Sequence, residues 1–283
     1  MVDWPLTFNC NNNCLSCIYD TRQTHKMGNP FMWQIKNVID SIKDENMSLC
    51  LTGGEPTLRK EMFDILKYAR QKHPNIYIFL VTNARMFSSK EFTRKLAELN
   101  LNNFMIGVAL YGYNSEIHDT ITKSSGSFNE TKQGIKNLLK NDVRVELRII
   151  VNKINYKYMN QLARFIVKEF KEVTRVVFIN MKYTGNAFIN RRKIFIKISE
   201  SNPYVEKATD ILLKNDVDVK LFHFPPCTIK KKYWDLAKGV TKQTVELMFV
   251  KRCKDCILKD ECPMIWKSYY ILYGDSEFKP ILS

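Results

Sequence analysis

Three cysteines lie within eight residues near the start of the chain. Cys10, Cys14 and Cys17 follow the spacing Cys-x3-Cys-x2-Cys, so a single loop presents three thiolates. Thiolates are the soft ligands that iron–sulfur clusters use, and a 4Fe–4S cube commonly takes four of them. Three thiolates from one loop would leave one iron of the cube without a protein ligand and therefore open to a small molecule. Zinc is the alternative, but a structural zinc site needs four Cys or His ligands, and near the loop only His25 could be considered.

Four further cysteines lie towards the end of the chain. Cys253, Cys256 and Cys262 follow the spacing Cys-x2-Cys-x5-Cys, and Cys227 precedes them after two prolines. Taken alone, this set fits an iron–sulfur cluster or a zinc ribbon. The eighth cysteine, Cys50, stands in an apolar stretch, and we expect it to be part of the core. Clustered cysteines in a reducing compartment indicate metal binding or catalysis more than disulfides.

The composition predicts a globular protein of the cytoplasm. Of 283 residues, 45% are hydrophobic and 26% are charged, and no apolar run is long enough to cross a bilayer. The first residues lack the pattern of a secretion signal. The net charge of +15 would suit nucleic acid or an acidic partner, but a basic composition spread over solvated faces explains it as well. Only Arg191-Arg192-Lys193 and Lys230-Lys231-Lys232 form basic runs.

Short β-rich segments alternate with amphipathic helical patterns from residue 4 to about residue 180. Helical periodicity is clearest where apolar residues recur at the spacing of one buried face, as at Ile35, Val38, Ile39 and Ile42. Six strand–helix units with right-handed crossovers form a parallel sheet, and six instead of eight predict a partial (β/α)6 barrel of the TIM type, an α/β fold. The predicted strands are Trp4–Asn9, Met47–Thr52, Ile76–Thr82, Phe104–Leu110, Val143–Asn152 and Arg175–Asn180.

The alternation ends after about residue 185. A helix near Tyr204–Asn215 and a strand near Val217–Phe222 precede the tail cysteines. We therefore predict a barrel domain over residues 1–200 and a small cluster-binding extension over residues 201–283. The Cys10–Cys17 loop follows the first predicted strand, and Gly53-Gly54-Glu55-Pro56 follows the second. Barrel folds place their functional loops after the carboxyl ends of strands, so both segments fall where an active site is expected.

This combination resembles the radical S-adenosylmethionine (SAM) superfamily. Cys10-x3-Cys14-x2-Cys17 is similar to its cluster signature, and Gly53-Gly54-Glu55-Pro56 to the motif that binds the methionine amino group of SAM. Glycines allow close approach of the backbone to a ligand, and a carboxylate can pair with an ammonium group. The resemblance implies that SAM chelates the open iron. Its reductive cleavage would then give a 5′-deoxyadenosyl radical that takes a hydrogen atom from the substrate.

Further matches extend the expected SAM site. Thr82 and Asn83 resemble the family's third-strand ending, and Arg148 and Asn152 match positions that often reach the ribose or carboxylate of SAM. For Arg148 a plain surface position is the alternative.

The chain departs from the family pattern at three positions. It has Ser16 where the family usually has an aromatic residue, and it has Ala109 and Tyr111 where many relatives carry Ser and Asp. A serine contact to the ribose is therefore expected to be missing. His118 and Asp119 match family positions too, although turn formation and helix capping explain them equally well. No catalytic acid, base or radical-quenching residue is assigned.

The tail resembles the SPASM or twitch extension of peptide-modifying members. The full SPASM pattern has seven cysteines for two auxiliary clusters, whereas this tail has four, so the resemblance implies one auxiliary 4Fe–4S cluster. Its ligands would be Cys253, Cys256 and Cys262, with Cys227 as the fourth. Without Cys227 one iron would be open to substrate. Trp266 stands where a further cysteine would lie. The order of motifs most resembles the maturases of His-Xaa-Ser-type peptides.

Three functions follow from these patterns. The first is an enzyme that takes hydrogen from a peptide or protein residue, with an electron donor such as flavodoxin or ferredoxin. The second is an enzyme of the same chemistry acting on a small molecule, a nucleoside or RNA, for which the basic charge would be suitable. The remote third is a non-catalytic module that binds zinc and nucleic acid.

Overall fold

A parallel sheet of seven strands, ordered β1 to β7 along the chain, forms the frame of the protein. The computed structural model describes residues 2–24, 26–241 and 245–283, and His25 lies outside the described residues. The strands of the sheet are β1 (Val2–Thr7), β2 (Ser48–Gly53), β3 (Tyr77–Thr82), β4 (Phe104–Ala109), β5 (Val145–Val151), β6 (Arg175–Asn180) and β7 (Val219–Phe222).

All six predicted strands are present, with ends at most two residues from those expected. The α/β partial barrel is confirmed, but it has seven strands instead of six. The segment near Val217–Phe222, which the sequence placed in the extension, contains β7, and this strand pairs in parallel with β6 from Val176↔Val219 to Ile179↔Phe222. The boundary at residue 200 stays a prediction, although the parallel sheet continues beyond it.

Helices cover the outer face of the sheet, and the apolar faces predicted from periodicity are the buried ones. Ile35 and Ile39, for example, pack into the main core beside Leu49 and Leu51 of β2. In the described part of the chain the helices are α1 (Thr21–Thr24), α2 (Met32–Asp40), α3 (Met62–Lys72), α4 (Lys90–Ala97), α5 (Ser115–Thr122), α6 (Ser127–Lys140), α7 (Met159–Glu169), α8 (Gly185–Ile189), α9 (Arg191–Ile194), α10 (Ile198–Leu213) and α11 (Lys267–Tyr273).

The inner face of the sheet carries a small apolar cluster and an ion pair. Cys50, Phe79 and Met105 pack together, so Cys50 is buried as expected. Beside them Arg148 pairs with Glu146 at 2.7 Å. Gly107 makes room for this arrangement, because a Cβ atom at that position would lie 2.9 Å from Cδ of Arg148.

The last part of the chain folds against the carboxyl ends of β6 and β7. Two short antiparallel strands, β8 (Leu247–Met248) and β9 (Ile265–Trp266), precede α11. Trp266 donates from its indole N–H to the carbonyl of Asn180 at 3.3 Å, and its ring lies 4.2 Å from that of His223. Within the described residues, none of the helices is both long and apolar enough to cross a membrane.

We predict that Gly134→Ala destabilises the protein. Alanine is favoured over glycine inside a helix by about 1 kcal/mol. Gly134 of α6, however, packs directly on the carbonyl of Ala84, and an added Cβ would clash with that oxygen. Overpacking costs about 1–3 kcal/mol, so the clash should prevail and lower the thermal midpoint by several degrees.

Circular dichroism melting checks this, with Gly28→Ala as the control, because a Cβ on Gly28 meets nothing within 4 Å. A midpoint for Gly134→Ala at or above that of the wild type would contradict the close packing of α6.

Candidate functional site

The three N-terminal cysteines converge on one cavity. Cys10, Cys14 and Cys17 lie in the loop between β1 and α1 and line a space of about 400 Å³, partly open to solvent, together with Gly53 and Gly54. The cavity is at the carboxyl ends of the strands. The structure therefore brings together the two segments that the sequence predicted to form the active site.

Arg85, which follows β3, holds the first half of this cysteine loop. Its guanidinium donates to the carbonyl of Asn11, to Oδ1 of Asn12 at 2.8 Å and to Oγ of Ser124 at 2.9 Å, and it also pairs with Glu130. A planar guanidinium with several donors can hold such diverging acceptors at once.

The segment after β4 holds the middle of the loop through its backbone. The N–H of Asn13 donates to the carbonyl of Thr122 at 2.9 Å, and the N–H of Leu15 donates to that of Ile121 at 2.8 Å. These two bonds flank Cys14. The position of the second cysteine therefore depends on where α5 ends.

The segment after β6 holds the second half of the loop. Asn186 donates to the carbonyl of Cys14 at 3.1 Å and to Oγ1 of Thr21 at 3.0 Å, and the N–H of Ala187 donates to the carbonyl of Cys17 at 2.9 Å. Gly185 has φ +55° and lies against the backbone of Ile18, where a Cβ atom would clash. Glycine is therefore required at this contact.

The two glycines of the second motif approach the chain itself closely. The N–H of Gly54 donates to the carbonyl of Thr7 at 2.7 Å, and the N–H of Glu55 donates to the carbonyl of Asn9 at 2.7 Å. A Cβ on Gly53, which has φ +132°, or on Gly54 would clash with these same carbonyls. The two glycines thus allow the chain at the end of β2 to lie against the backbone of Thr7 and Asn9, just before Cys10.

Glu55 is buried and accepts hydrogen bonds from its own surroundings. Oε1 receives the hydroxyl of Thr57 and that of Thr82, each at 2.5 Å, and Oε2 receives the backbone N–H of Asn83 at 2.7 Å. Burial raises the pKa of this carboxyl group, and the donors oppose that rise. We expected Glu55 to pair with an ammonium group. In the structure it ties β2 to β3 and to the 3-10 turn Pro56–Leu58.

The other predicted SAM contacts are not all at the cavity. Asn83 reaches the cysteine loop, since its Nδ2 donates to Oδ1 of Asn11 at 2.7 Å. Arg148 lies inside the barrel, paired with Glu146 and 5.4 Å above the ring of Phe79. Asn152 is buried in the turn after β5, and its side chain bonds the backbone of its neighbours Ile150 and Ile154.

Tyr111 lies behind the cysteine loop. Its buried hydroxyl contacts Cys14 and Ser16, and its backbone N–H is 3.3 Å from Nδ1 of His118. Burial raises the pKa of Tyr111 well above its usual value and lowers that of His118 to about 4.

Asp119 caps α6 by accepting from the backbone N–H of Phe128 at 2.7 Å. The capping interpretation of Asp119 therefore agrees with the structure.

The surroundings of the loop cysteines disfavour their deprotonated, thiolate form. Burial raises the pKa of Cys10 to about 12 and that of Cys14 further, and repulsion among the three cysteines adds to both shifts. Bound iron would offset this cost, because a coordinated thiol is deprotonated outright. In the described part of the chain no three His, Cys, Asp or Glu side chains surround a point suited to one metal ion. In a cluster each thiolate binds a different iron, so three separate sulfurs around one cavity fit the cluster.

The four tail cysteines line a second cavity. Cys227, Cys253, Cys256 and Cys262 face a space of about 400 Å³ with apolar walls that include Phe249 and Phe278. Burial raises the pKa of Cys227 to about 11 and that of Cys262 to about 12, with repulsion from the other cysteines as a further cause. Cys227 comes from the barrel side of this cavity, on the 3-10 turn Pro226–Thr228. Cys227 therefore lies in the same cavity as the other three tail cysteines, and its role as a cluster ligand stays a prediction.

Arg85 and Asn186 are site residues that we did not predict as such. Neither arginine nor asparagine is a usual ligand for iron, so residue type alone did not indicate them. The available signal was their position, because each lies within a few residues after the carboxyl end of a predicted strand.

We predict that Arg85→Lys loosens the cysteine loop without unfolding the protein. In Arg85, Nε pairs with Glu130 while Nη1 donates to Asn11, Asn12 and Ser124. The single ammonium group of lysine cannot occupy both places at once. Loss of these bonds should cost about 1–3 kcal/mol locally, so the loop amides should exchange roughly tenfold faster or more.

Hydrogen exchange with mass spectrometry on peptides covering residues 10–17 measures this effect. Arg94→Lys is the control, because Arg94 is exposed on α4 and pairs with Glu98 at 3.6 Å. Equal exchange of the loop in both variants would contradict the role given to Arg85.

Comparison with known proteins adds family information. A sequence profile described as "Radical SAM superfamily" matches residues 4–166. The Fe-coproporphyrin III synthase of Methanosarcina barkeri is 28% identical over 186 residues, 65% of this chain and 45% of that protein. The cysteine-type anaerobic sulfatase-maturating enzyme of Clostridium novyi is 26% identical over 184 residues, 60% of this chain and 48% of that protein. The chain thus spans about half the length of these curated relatives.

A solved structure shares the fold. "Native anSMEcpe with bound AdoMet and Kp18Cys peptide" superposes with a TM-score of 0.62 at 21% identity, covering 78% of this chain and 63% of that one. At this level of identity the likeness concerns the architecture. It supports the α/β partial-barrel fold of this chain.

Proposed function

The chain belongs to the radical SAM superfamily, and we propose that it takes a hydrogen atom from a residue of a peptide or protein. The observation that carries this proposal is the cavity in which Cys10, Cys14 and Cys17 meet Gly53 and Gly54 at the carboxyl ends of the strands. Among the described residues that line this cavity there is no fourth Cys or His, so three thiolates would leave one coordination position for SAM.

The residues at this cavity have distinct proposed tasks. Cys10, Cys14 and Cys17 would hold the cluster, which with bound SAM supplies the radical chemistry of the family. Gly53 and Gly54 line the cavity, and we propose that they contact SAM together with Glu55, Pro56, Thr82 and Asn83, a group that we call the wall residues. Of the two other predicted contacts, Arg148 would have to leave Glu146, and Asn152 would have to give up its turn bonds. We therefore assign SAM binding to the wall residues.

We propose that the tail cavity holds one auxiliary 4Fe–4S cluster with Cys227, Cys253, Cys256 and Cys262 as its four ligands. Support comes from their common cavity and from its apolar walls, which suit a buried cluster. With all four corners ligated, this cluster would serve electron transfer and not substrate binding. The contact of Trp266 with Asn180 joins the tail to the barrel near the active site.

A peptide or protein substrate is supported by two similarities. The Clostridium novyi relative is by name a sulfatase-maturating enzyme, and the solved structure of similar fold was determined with a peptide bound. The alternative is a small-molecule substrate, which the name of the Methanosarcina barkeri relative favours. Family membership removes the third possibility of a non-catalytic zinc module. We further propose a cytoplasmic location and an electron donor of the flavodoxin or ferredoxin kind.

We predict that anaerobically purified protein converts SAM to methionine and 5′-deoxyadenosine when dithionite is added. Cys14→Ala should reduce 5′-deoxyadenosine to background, because it removes one of the three cluster thiolates. Cys50→Ala is the matched control and should keep the activity, since Cys50 packs with Phe79 and Met105 and is not among the residues that line the cavity.

Liquid chromatography of the products with each candidate substrate tests the substrate class. A precursor-type peptide should raise the yield of 5′-deoxyadenosine, whereas RNA and porphyrins should not. Colourless protein that contains zinc in place of iron and sulfide would overturn the proposed function as a whole.

We predict that Cys227→Ala lowers the iron content from about eight to about four atoms per chain after reconstitution. The remaining SAM cleavage by the first cluster provides an internal control for folding. Iron and sulfide analysis with electron paramagnetic resonance measures the loss. An iron content and an electron paramagnetic resonance spectrum that both equal those of the wild type would contradict four-cysteine ligation.

A further inference from the structure

The two basic runs of the sequence have different surroundings. In the run at residues 230–232, Lys230 pairs with Glu206 and Lys232 with Asp210, each at 2.9 Å. The run Arg191-Arg192-Lys193 forms most of α9, and among the described residues no carboxylate pairs with any of its three cations. The first run is used within the fold, whereas the second leaves three unneutralised charges on one short helix.

Exposed apolar side chains adjoin these cations. Ile18, Phe188 and Ile189 are 48%, 43% and 42% exposed, although large aliphatic and aromatic residues are usually buried. Arg191 lies over the ring of Phe188 at 4.4 Å. Apolar residues surrounded by charge are typical of surfaces that bind another protein. We call Ile18, Phe188, Ile189 and the run at 191–193 the α8–α9 surface.

The α8–α9 surface is joined directly to the cysteine loop. Ile18 follows Cys17 in the chain, Thr184 donates from its hydroxyl to the carbonyl of Ile18 at 3.1 Å, and the N–H of Ala187 donates to the carbonyl of Cys17 at 2.9 Å. A protein seated on this surface would therefore lie against the backbone that carries a proposed cluster ligand.

We propose that the α8–α9 surface docks a small acidic one-electron carrier protein of the flavodoxin type. This inference rests on the proposed function, which requires one electron for each SAM cleaved. The carrier is oxidised by one electron, and the cluster at Cys10, Cys14 and Cys17 is reduced by one. Its acidic face is complementary to the unpaired cations at 191–193, which steer the encounter, while the apolar residues form the close contact.

The experiment is stopped-flow reduction of the anaerobic holoenzyme by a purified acidic flavodoxin in its fully reduced form. Arg192→Glu/Lys193→Glu should lower the second-order rate of cluster reduction about tenfold at low ionic strength. Added salt should shrink the difference, since it screens exposed charges. Reduction by dithionite, which needs no docking surface, should change less than about twofold.

Lys67→Glu/Lys207→Glu is the matched control. It makes the same change of net charge at exposed positions on α3 and α10 and should leave the flavodoxin rate within about twofold of the wild type. An equal loss in both double variants would mean that net charge alone acts and would overturn the proposal. It would also be overturned if Arg192→Glu/Lys193→Glu left the flavodoxin rate unchanged or raised only the KM for a peptide substrate. Failure of dithionite-driven 5′-deoxyadenosine formation in the wild type would instead refute the proposed function.

Discussion

The candidate active site depends on holding three half-buried cysteines in a loop that contains no helix or strand. Burial and mutual repulsion both oppose their ionisation, so the loop does not favour the ligating geometry by itself. The geometry is imposed from outside, by the ends of β2, β3, β4 and β6. Each of these hydrogen bonds contributes only about 1 kcal/mol to stability, but together they hold the loop from the ends of four strands.

Glu55 shows how a motif associated with a ligand also serves the fold. A buried carboxylate is costly unless donors surround it, and here two hydroxyl groups and a backbone N–H do so. These donors come from β3 and from the turn after β2, so the same side chain fixes the spacing of two strand ends. The neighbouring glycines act in the same way, by letting β2 close onto the residues that precede Cys10. The segments proposed to contact SAM are therefore joined to each other by their own hydrogen bonds.

Most of the frame could be predicted because buried parallel strands and amphipathic helices leave periodic apolar patterns. β7 was misplaced because four residues between a helix and two prolines carry too little pattern to show which sheet they join. The cysteines were readable as ligands from their chemistry and spacing. Asn152 and Asp119 were ambiguous for a physical reason, since short polar side chains serve turns and caps as well as ligands. Arg85 and Asn186 were missed because spacing along the chain does not reveal which distant backbone a side chain reaches.

The ties from Asn186 to the cysteine loop have a consequence for how the protein is made. Asn186 bonds the carbonyl of Cys14 across 172 positions of sequence. Contacts of such long range form late, because the loop they close is entropically costly until the intervening elements have packed. A ribosome that has synthesised the cysteines has therefore not yet made the residues that shape them. Native cluster geometry thus becomes available only after β6 has joined the sheet, which places cofactor loading late in the maturation of the nascent chain.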